Sequence, residues 1–250
     1  MNKIDLLVEI INNSKKIVFL GGAGVSVESG IPDFRSSNGI FTMNDYSNLE
    51  KIPVEKILSN SFFHSNTEDF YKFYKDKMLY LDAKPNMCHK GLAYLESINK
   101  LSSVITQNID NLHYDAGSKN VYELHGSVMK NHCQKCKKFY DVNYIYNSRG
   151  VPKCECGGII KPDVVLYEEN LDSNILFNSI LEISTCDTLI IGGTSLTVYP
   201  AAGLVKYFNG KNLVIINKSV SQYDSSADLV INEDIGKVFE EVLLKLLPKE

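Results

Sequence analysis

Four strings of residues in this chain have the types and spacing to do chemistry. The first is Gly21-Gly22-Ala23-Gly24-Val25-Ser26, which follows the apolar run IVFL (17–20) and leads to Pro32-Asp33-Phe34-Arg35. Glycines let a chain turn sharply and bring backbone N–H groups against a pyrophosphate, at the start of a helix whose dipole favours anions. The dinucleotide spacing G-x-G-x-x-G places Gly22 and Gly24, but Val27 stands at the third position. Taken by itself the string also fits a tight strand-to-helix turn with no ligand. No acidic residue stands at the end of an apolar strand-like run about 20 positions on, where a dehydrogenase grips the adenosine ribose. A carboxylate, an aromatic face and a guanidinium arrive instead at Asp33, Phe34 and Arg35. That set suits holding a charged ring that is about to leave, rather than one that accepts hydride.

The second string is TQNIDNLHYDAG (106–117), leaving the apolar run SVIT (103–106). Ligands in open α/β sheets bind beyond the carboxyl ends of strands, which is where Gln107, Asn108 and Asp110 fall. Alternation along an extended segment puts Asn108 and Asp110 on one side. The plain alternative is a polar loop with an Asx turn. The third string, VYELHGSV (121–128), ends an apolar run at His125. A structural histidine is the alternative there. Among His64, His89, His113, His125 and His132, His125 is chosen because its run ends at the same expected sheet edge. An imidazole titrating near neutrality can take a proton from a sugar hydroxyl.

The fourth string holds four of the six cysteines: Cys133-Gln-Lys-Cys136, seventeen residues, then Cys154-Glu-Cys156-Gly-Gly. Four thiolates on two knuckles suit tetrahedral Zn²⁺, and full sulfur ligation leaves no open position, so the expected metal is structural. The second knuckle is C-x-C rather than C-x-x-C, and Gly157-Gly158 lets the chain wrap tightly enough to compensate. Cys88 and Cys186 read as small buried hydrophobes.

These strings need elements to position them. The chain has 250 residues, 44% of them hydrophobic and 22% charged, enough for one sizeable core and a smaller module. A net charge of −4 gives no general pull toward nucleic acid or an anionic membrane. No apolar run approaches the ~18 residues of a membrane span, and the amino end lacks the apolar core of a signal peptide. The expected setting is the cytoplasm, where thiols stay reduced. Apolar runs at 17–20, 103–106, 188–193, 213–217 and 229–232 read as buried strands. Amphipathic stretches at 3–14, 87–100, 174–185, 200–208 and 235–247 read as helices between them. The pattern predicts an α/β fold, a doubly wound parallel sheet of Rossmann type. Residues 1–36, 86–127 and 164–250 form that body. A helical insertion (37–85) and a zinc-binding module (128–163) together make a smaller domain.

In this order the strings resemble the sirtuins, NAD⁺-dependent protein deacylases. The resemblance is carried by GAGVSVESGIPDFR (22–35), TQNID with AGS (106–118), HGS (125–127), the cysteine pairs, GGTSLTVYPAA (192–202) and INKS (216–219). It implies NAD⁺ and an acyl-lysine peptide meeting in a cleft between a large and a small domain. It assigns Gly22, Ala23, Gly24, Asp33, Phe34 and Arg35 to the dinucleotide loop. Gln107, Asn108, Ile109 and Asp110 would shape the ribose and nicotinamide pocket, with Asp110 accepting from the nicotinamide carboxamide. Gly193, Thr194, Ser195, Asn217 and the Ile235 backbone would hold the adenosine half. His125 is implied as general base, with Asn108 beside it. The implied products are nicotinamide, O-acetyl-ADP-ribose and free lysine. The peptide would add as a strand between 163–169 and 192–198, with Val165 bonding the acyl-lysine amide.

The sequence departs from the sirtuin pattern in three places. Asn111 stands where glycine commonly follows QNID, and Tyr167-Glu168 where Phe-Gly is frequent; Glu168 beside the peptide groove would disfavour acidic substrates. In DFYKFYKD (69–76), Tyr71 matches the tyrosine of succinyl- and malonyl-specific sirtuins, but Tyr74 stands where they carry arginine. Without a guanidinium a buried acyl carboxylate lacks its bidentate partner, so acetyl and longer apolar acyl groups are expected. The alternatives are an NAD-dependent mono-ADP-ribosyltransferase on the same fold, or a non-enzymatic zinc-ribbon module that binds protein or nucleic acid through Lys130, Lys135, Lys137 and Lys138.

Overall fold

A computed structural model describes residues 2–33, 39–40 and 52–247. In chain order the strands are β1 (Ile17–Gly21), β2 (Leu101–Thr106), β3 (Val121–Glu123), β4 (Gly126–Cys133), β5 (Phe139–Asp141), β6 (Ile160–Val164), β7 (Thr188–Gly192), β8 (Asn212–Ile216) and β9 (Leu229–Ile231). The α-helices are α1 (Lys3–Asn13), α2 (Val54–Ile57), α3 (Asn60–Ser65), α4 (Thr67–Lys77), α5 (Met87–Ser97), α6 (Leu112–Asp115), α7 (Val142–Asn147), α8 (Ser173–Thr185) and α9 (Ile235–Leu246).

Six strands form a parallel sheet in the order β3-β2-β1-β7-β8-β9. Side chains alternate across it, so neighbouring residues of one strand feed different cores. Ile17 and Phe19 of β1 join α1, α5 and α9 on one face. Val18 and Leu20 join α8 and the segment Ala201–Tyr207 on the other. Burial on both faces is why these strands read as unbroken apolar runs. The strand order reverses between β1 and β7, the crevice where doubly wound sheets take nucleotides. Register then does the positioning. Gly21 lies beside Thr106 and Gly192, and Gly192 beside Ile216. The next residue of each strand therefore emerges in one row: Gly22, Gln107, Gly193 and Asn217.

Two expectations about helices change. Residues 201–207 wind as a 3₁₀ helix, with Gly203 at its centre lowering α propensity. The glycine loop does not open an α-helix. It passes through short 3₁₀ turns, Ala23–Val25 and Val27–Ser29, and stops at Gly30, whose φ is 86°. A left-handed glycine followed by Pro32 cannot propagate a helix. An anion here must therefore be met by local N–H groups rather than by the dipole of a long helix.

The second sheet is antiparallel, in the order β5-β4-β6. Its apolar residues, among them Val128, Tyr140 and Ile160, share one buried cluster with Ile145 of α7 and with Phe62, Phe63, Phe70 and Tyr74 of α3 and α4. The two stretches that interrupt the parallel fold thus pack on each other. Among the described residues, no helix is long and apolar enough to cross a membrane.

One buried pair ties stability to pH. His89 and His113 are 0% and 2% exposed, with ring centroids 4.7 Å apart. His89 completes an α5 capping box, its Nδ1 accepting from the Asn86 N–H at 3.3 Å. Neither nitrogen of His113 has a partner among the described residues. Burial lowers both imidazoles, that of His89 to about 4. The unfolded chain then binds more protons than the folded one below about pH 6.5, and stability falls as pH drops toward 4. The drop at His89 alone amounts to about 3 kcal/mol. Buried Asp110 and Glu123, with raised pKa, act in the opposite sense. Glutamine also serves at the third position of a capping box. His89→Gln should keep the cap and flatten the fall of the urea midpoint between pH 7.5 and 4.5.

Candidate functional site

The row at the carboxyl edge opens into a cleft of about 830 Å³. The glycines set its floor. A Cβ on Gly22 would lie 2.7 Å from the Thr194 Cβ, and one on Gly24 would lie 2.8 Å from the Gly193 Cα. The Gly24 N–H donates to the Gly193 carbonyl at 2.8 Å, joining the loops after β1 and β7 backbone to backbone. Ala23 lines the cleft, and its N–H is given to no described acceptor. Asp33 also lines it, whereas Phe34 and Arg35 lie outside the described residues.

From β2, the Gln107 amide donates to Thr194 Oγ1 at 3.0 Å, so three strand ends are linked. Gln107, Asn108 and Ile109 line the cleft. The expected common side for Asn108 and Asp110 is found at Ser26. Asn108 Nδ2 donates to Ser26 Oγ at 3.0 Å, and Ser26 Oγ donates to Asp110 Oδ2 at 2.6 Å. The other Asp110 oxygen accepts from the Leu112 N–H at 2.9 Å. Asp110 is therefore engaged on both oxygens and stands behind the lining residues, not among them. Burial raises its pKa against the pull of these two bonds. Asn111 adopts φ 71°, the left-handed region expected where glycine is common.

His125 occupies the corner between β3 and β4. Its Nδ1 lies 2.9 Å from the Gln107 carbonyl oxygen. A carbonyl only accepts, so Nδ1 carries the proton and Nε2 keeps a free lone pair. Burial lowers the His125 pKa, and the ring is neutral at pH 7. The His125 carbonyl accepts from the Val165 N–H at 2.9 Å, tying this corner to 163–169. Gly126 has φ 73°, and a Cβ there would meet the Asp163 carbonyl oxygen at 1.8 Å. No other residue type fits at that corner.

On the far side, Thr194 N–H donates to Asn217 Oδ1 at 3.0 Å, and Asn217 Nδ2 donates to the Thr194 carbonyl at 2.9 Å. Asn217 is thus a strut for the 193–195 loop as well as a lining residue. Ser195 and Ile235 line the same end, and the Ser195 and Thr197 hydroxyls are 2.8 Å apart. Sequence reasoning missed two supports. Ser26 stands inside the quoted glycine string and was legible as a hydroxyl at a turn. Glu28 was not legible, because the Gly236 N–H that it caps at 2.5 Å belongs to α9, 208 residues away.

Tyr71 and Tyr74 sit on α4 and are fully buried. The Tyr71 hydroxyl donates to the Ile160 carbonyl, and this ring does not line the cleft. Tyr74 does line it, with Val165, Tyr167 and Glu168. Glu168 takes φ 75°, a conformation in which glycine is less strained. Its carboxylate accepts from the Ser61 N–H and Oγ at 2.8 and 2.9 Å, which holds it there.

The four cysteines of the fourth string form one cluster, with sulfurs all within 4.8 Å of one another. The 133–156 and 136–154 sulfur pairs are each 3.5 Å apart. That is too long for a disulfide of about 2.05 Å, and near the ~3.8 Å edge of a tetrahedron built on Zn–S bonds of about 2.3 Å. A Cβ on Gly158 would lie 2.6 Å from Cys133 Sγ, so the C-x-C knuckle does close through its glycines. The donor set fits one structural Zn²⁺. His132 is turned away, its Nδ1 2.9 Å from Asp163 Oδ1.

The chain matches the model of the Sir2 family over residues 22–200. It is 60% identical over 244 residues to an NAD-dependent protein deacetylase of Clostridium perfringens, covering 97% of this chain and 99% of that one. A solved Sir2–p53 peptide–NAD⁺ complex superposes with a TM-score of 0.84 at 38% identity, with 98% of each chain covered. A structure of Sir2Tm bound to a propionylated peptide gives the same TM-score, identity and coverage. A family model matched over residues 22–200, and relatives covered nearly end to end, show that the chain belongs to the Sir2 family.

Proposed function

We propose that the protein is an NAD⁺-dependent protein lysine deacetylase in which His125 is the general base. The observation that carries this reading is the His125 corner. A neutral imidazole, its tautomer fixed by the Gln107 carbonyl, offers a free Nε2 in a cleft that joins a nucleotide-type floor to a peptide-type edge. NAD⁺ would supply a ribose carbon made electrophilic by nicotinamide as leaving group, with O-acetyl-ADP-ribose, nicotinamide and free lysine as products. Gly22, Ala23, Gly24 and Asp33 would border the pyrophosphate, joined by Phe34 and Arg35. Gly193, Thr194, Ser195, Asn217 and Ile235 would border the adenosine. Gln107, Asn108 and Ile109 would border the reacting ribose and the nicotinamide. Asp110 would hold Asn108 through Ser26, an indirect part in place of direct contact with the carboxamide. The Val165 N–H is taken by His125, which leaves the Val165 carbonyl for the acyl-lysine amide. Residues 1–36, 86–127 and 164–250 would make the nucleotide domain, with 37–85 and 128–163 forming the small one. Reduced zinc thiolates agree with a cytoplasmic setting. The test is nicotinamide release from NAD⁺ in the presence of an acetyl-lysine peptide; none from zinc-replete protein would refute the proposal.

The same geometry predicts poor activity on acidic acyl groups. Tyr71 is committed to Ile160, and Tyr74 carries no charge at neutral pH, its phenol driven further up by burial. Lys75, the next residue, is spent on the Ser148 carbonyl and hydroxyl at 2.5 and 2.7 Å. An unpaired buried carboxylate costs about 3–5 kcal/mol. Succinyl-lysine should therefore be processed with a kcat/KM at least about 10²-fold below that of acetyl-lysine, as read by mass spectrometry of the peptides.

A further inference from the structure

The glycine loop needs support from outside, because it ends in two short 3₁₀ turns instead of an α-helix. Asn86 supplies that support from the head of α5. Its Nδ2 donates one hydrogen to the Val25 carbonyl at 2.7 Å and the other to Ser29 Oγ at 3.0 Å. Val25 closes the first turn and Ser29 the second, so a single amide group spans both. Its Oδ1 accepts from the Cys88 N–H at 2.9 Å as the cap of α5. A carbonyl only accepts and an N–H only donates, so these partners fix which way the amide faces. The far end of this bracket is rigid as well. Cys88, Leu92 and Leu95 of α5 are buried with Phe239 and Val242 of α9.

Between the two pinned residues lies Ser26, whose hydroxyl joins Asn108 to Asp110. Just ahead of Val25 lie Ala23 and Gly24, which line the cleft. Asn86 is not among the lining residues. We infer that Asn86 is a positioning residue for NAD⁺, which holds the glycine loop and Ser26 in the binding geometry while its oxygen caps α5. The inference rests on the deacetylase reading and adds to it a residue that lies outside the cleft. The two duties of Asn86 sit on different atoms. The oxygen serves the helix, and the nitrogen serves the loop. Loss of the nitrogen alone therefore frees the loop without uncapping α5, and a small displacement of binding groups is enough to weaken a well-fitted ligand.

The experiment uses Asn86→Asp and Asn86→Ser. Both residues are good helix caps, and both lack the amide donor. A serine hydroxyl has one hydrogen and is one bond shorter, so it cannot span the two turns. Only aspartate adds a charge, so an effect that the two variants share belongs to the lost bonds. Four quantities are read: the NAD⁺ Kd by calorimetry without peptide, the KM for NAD⁺, the KM for an acetyl-lysine peptide, and the urea midpoint. In both variants the Kd and KM for NAD⁺ should rise at least about fivefold. The peptide KM should stay within about twofold of the parent's, and the urea midpoint should not move. A rise in NAD⁺ Kd of less than about threefold in either variant overturns the inference. So does a peptide KM or a urea midpoint that moves in step with the NAD⁺ values, because a merely structural part shifts all of them together. Failure of both variants to fold overturns it too, since Asn86 would then serve the fold and not the loop. Absence of nicotinamide release by the parent would instead strike the deacetylase reading, and the calorimetric comparison would still stand.

Discussion

His125→Ala is expected to lower deacylation by about 10²–10⁴-fold, the usual worth of a positioned general base. The fold should survive, because the side chain makes one recorded hydrogen bond, to the Gln107 carbonyl, while its backbone bond to Val165 does not depend on residue type. NAD⁺ binding should survive too, since the floor is built from the loops after β1 and β7. The parent enzyme adds a second reading. Burial holds the imidazole below its ordinary value, so the acid limb of kcat/KM should lie below pH 6.5, with full activity at pH 7. An alanine protein that binds NAD⁺ and deacylates within tenfold of the parent would remove His125 from the chemistry.

Loss of the metal should be the largest structural effect. The antiparallel sheet β5-β4-β6 is small, and the cysteines tie its two ends: Cys133 closes β4, while Cys154 and Cys156 precede β6. Binding of Zn²⁺ to such sites supplies about 10–16 kcal/mol in zinc-finger peptides, far more than three short strands provide. Cys154→Ser is therefore expected to unfold the small module, with a loss of protease resistance that added zinc does not restore. Deacylation should disappear with it, because β4 begins at Gly126, directly after His125, and β6 runs into Val164 and Val165. The parallel sheet should persist and show a separate unfolding transition. A Cys154→Ser protein with the parent's protease pattern and bound zinc would overturn this expectation.

How much of this was readable in the residues depended on burial. The strands β1, β7 and β8 lie within the sheet and are apolar nearly throughout, and β2 is β-branched at its buried end, so they stood out from the surrounding amphipathic stretches. β3 did not stand out as a strand. Its three residues, Val-Tyr-Glu, are only partly buried and end in a carboxylate, whereas the equally short edge strand β9 is the apolar Leu-Val-Ile and was legible. The strands of the antiparallel sheet hid for another reason. Their order depends on the metal cluster and on α3 and α4 rather than on their own hydrophobic pattern. Site residues were visible where chemistry sits in local strings: the glycines, Asn108, His125 and the cysteines. Their supports were visible only when neighbours in sequence. Ser26 could have been found, whereas the Glu28–Gly236 bond and the Asn217–Thr194 brace join distant segments that only folding brings together. The helix expected after the glycine loop failed because Gly30 and Pro32 stop it, both present in the quoted string and underweighted.

The contact between Gly24 and Gly193 has an evolutionary consequence. Most tight fits between two side chains can be relieved when one shrinks as the other grows. Here a Cβ on either partner would collide with backbone of the other segment, at 2.8 Å from Gly193 for Gly24 and at 2.4 Å from the Val25 nitrogen for Gly193. Both partners are already the smallest residue, so neither has anything left to give up. No suppressor exchange at the other position can rescue a mutation at one of them, and drift at this seam is blocked from both sides at once.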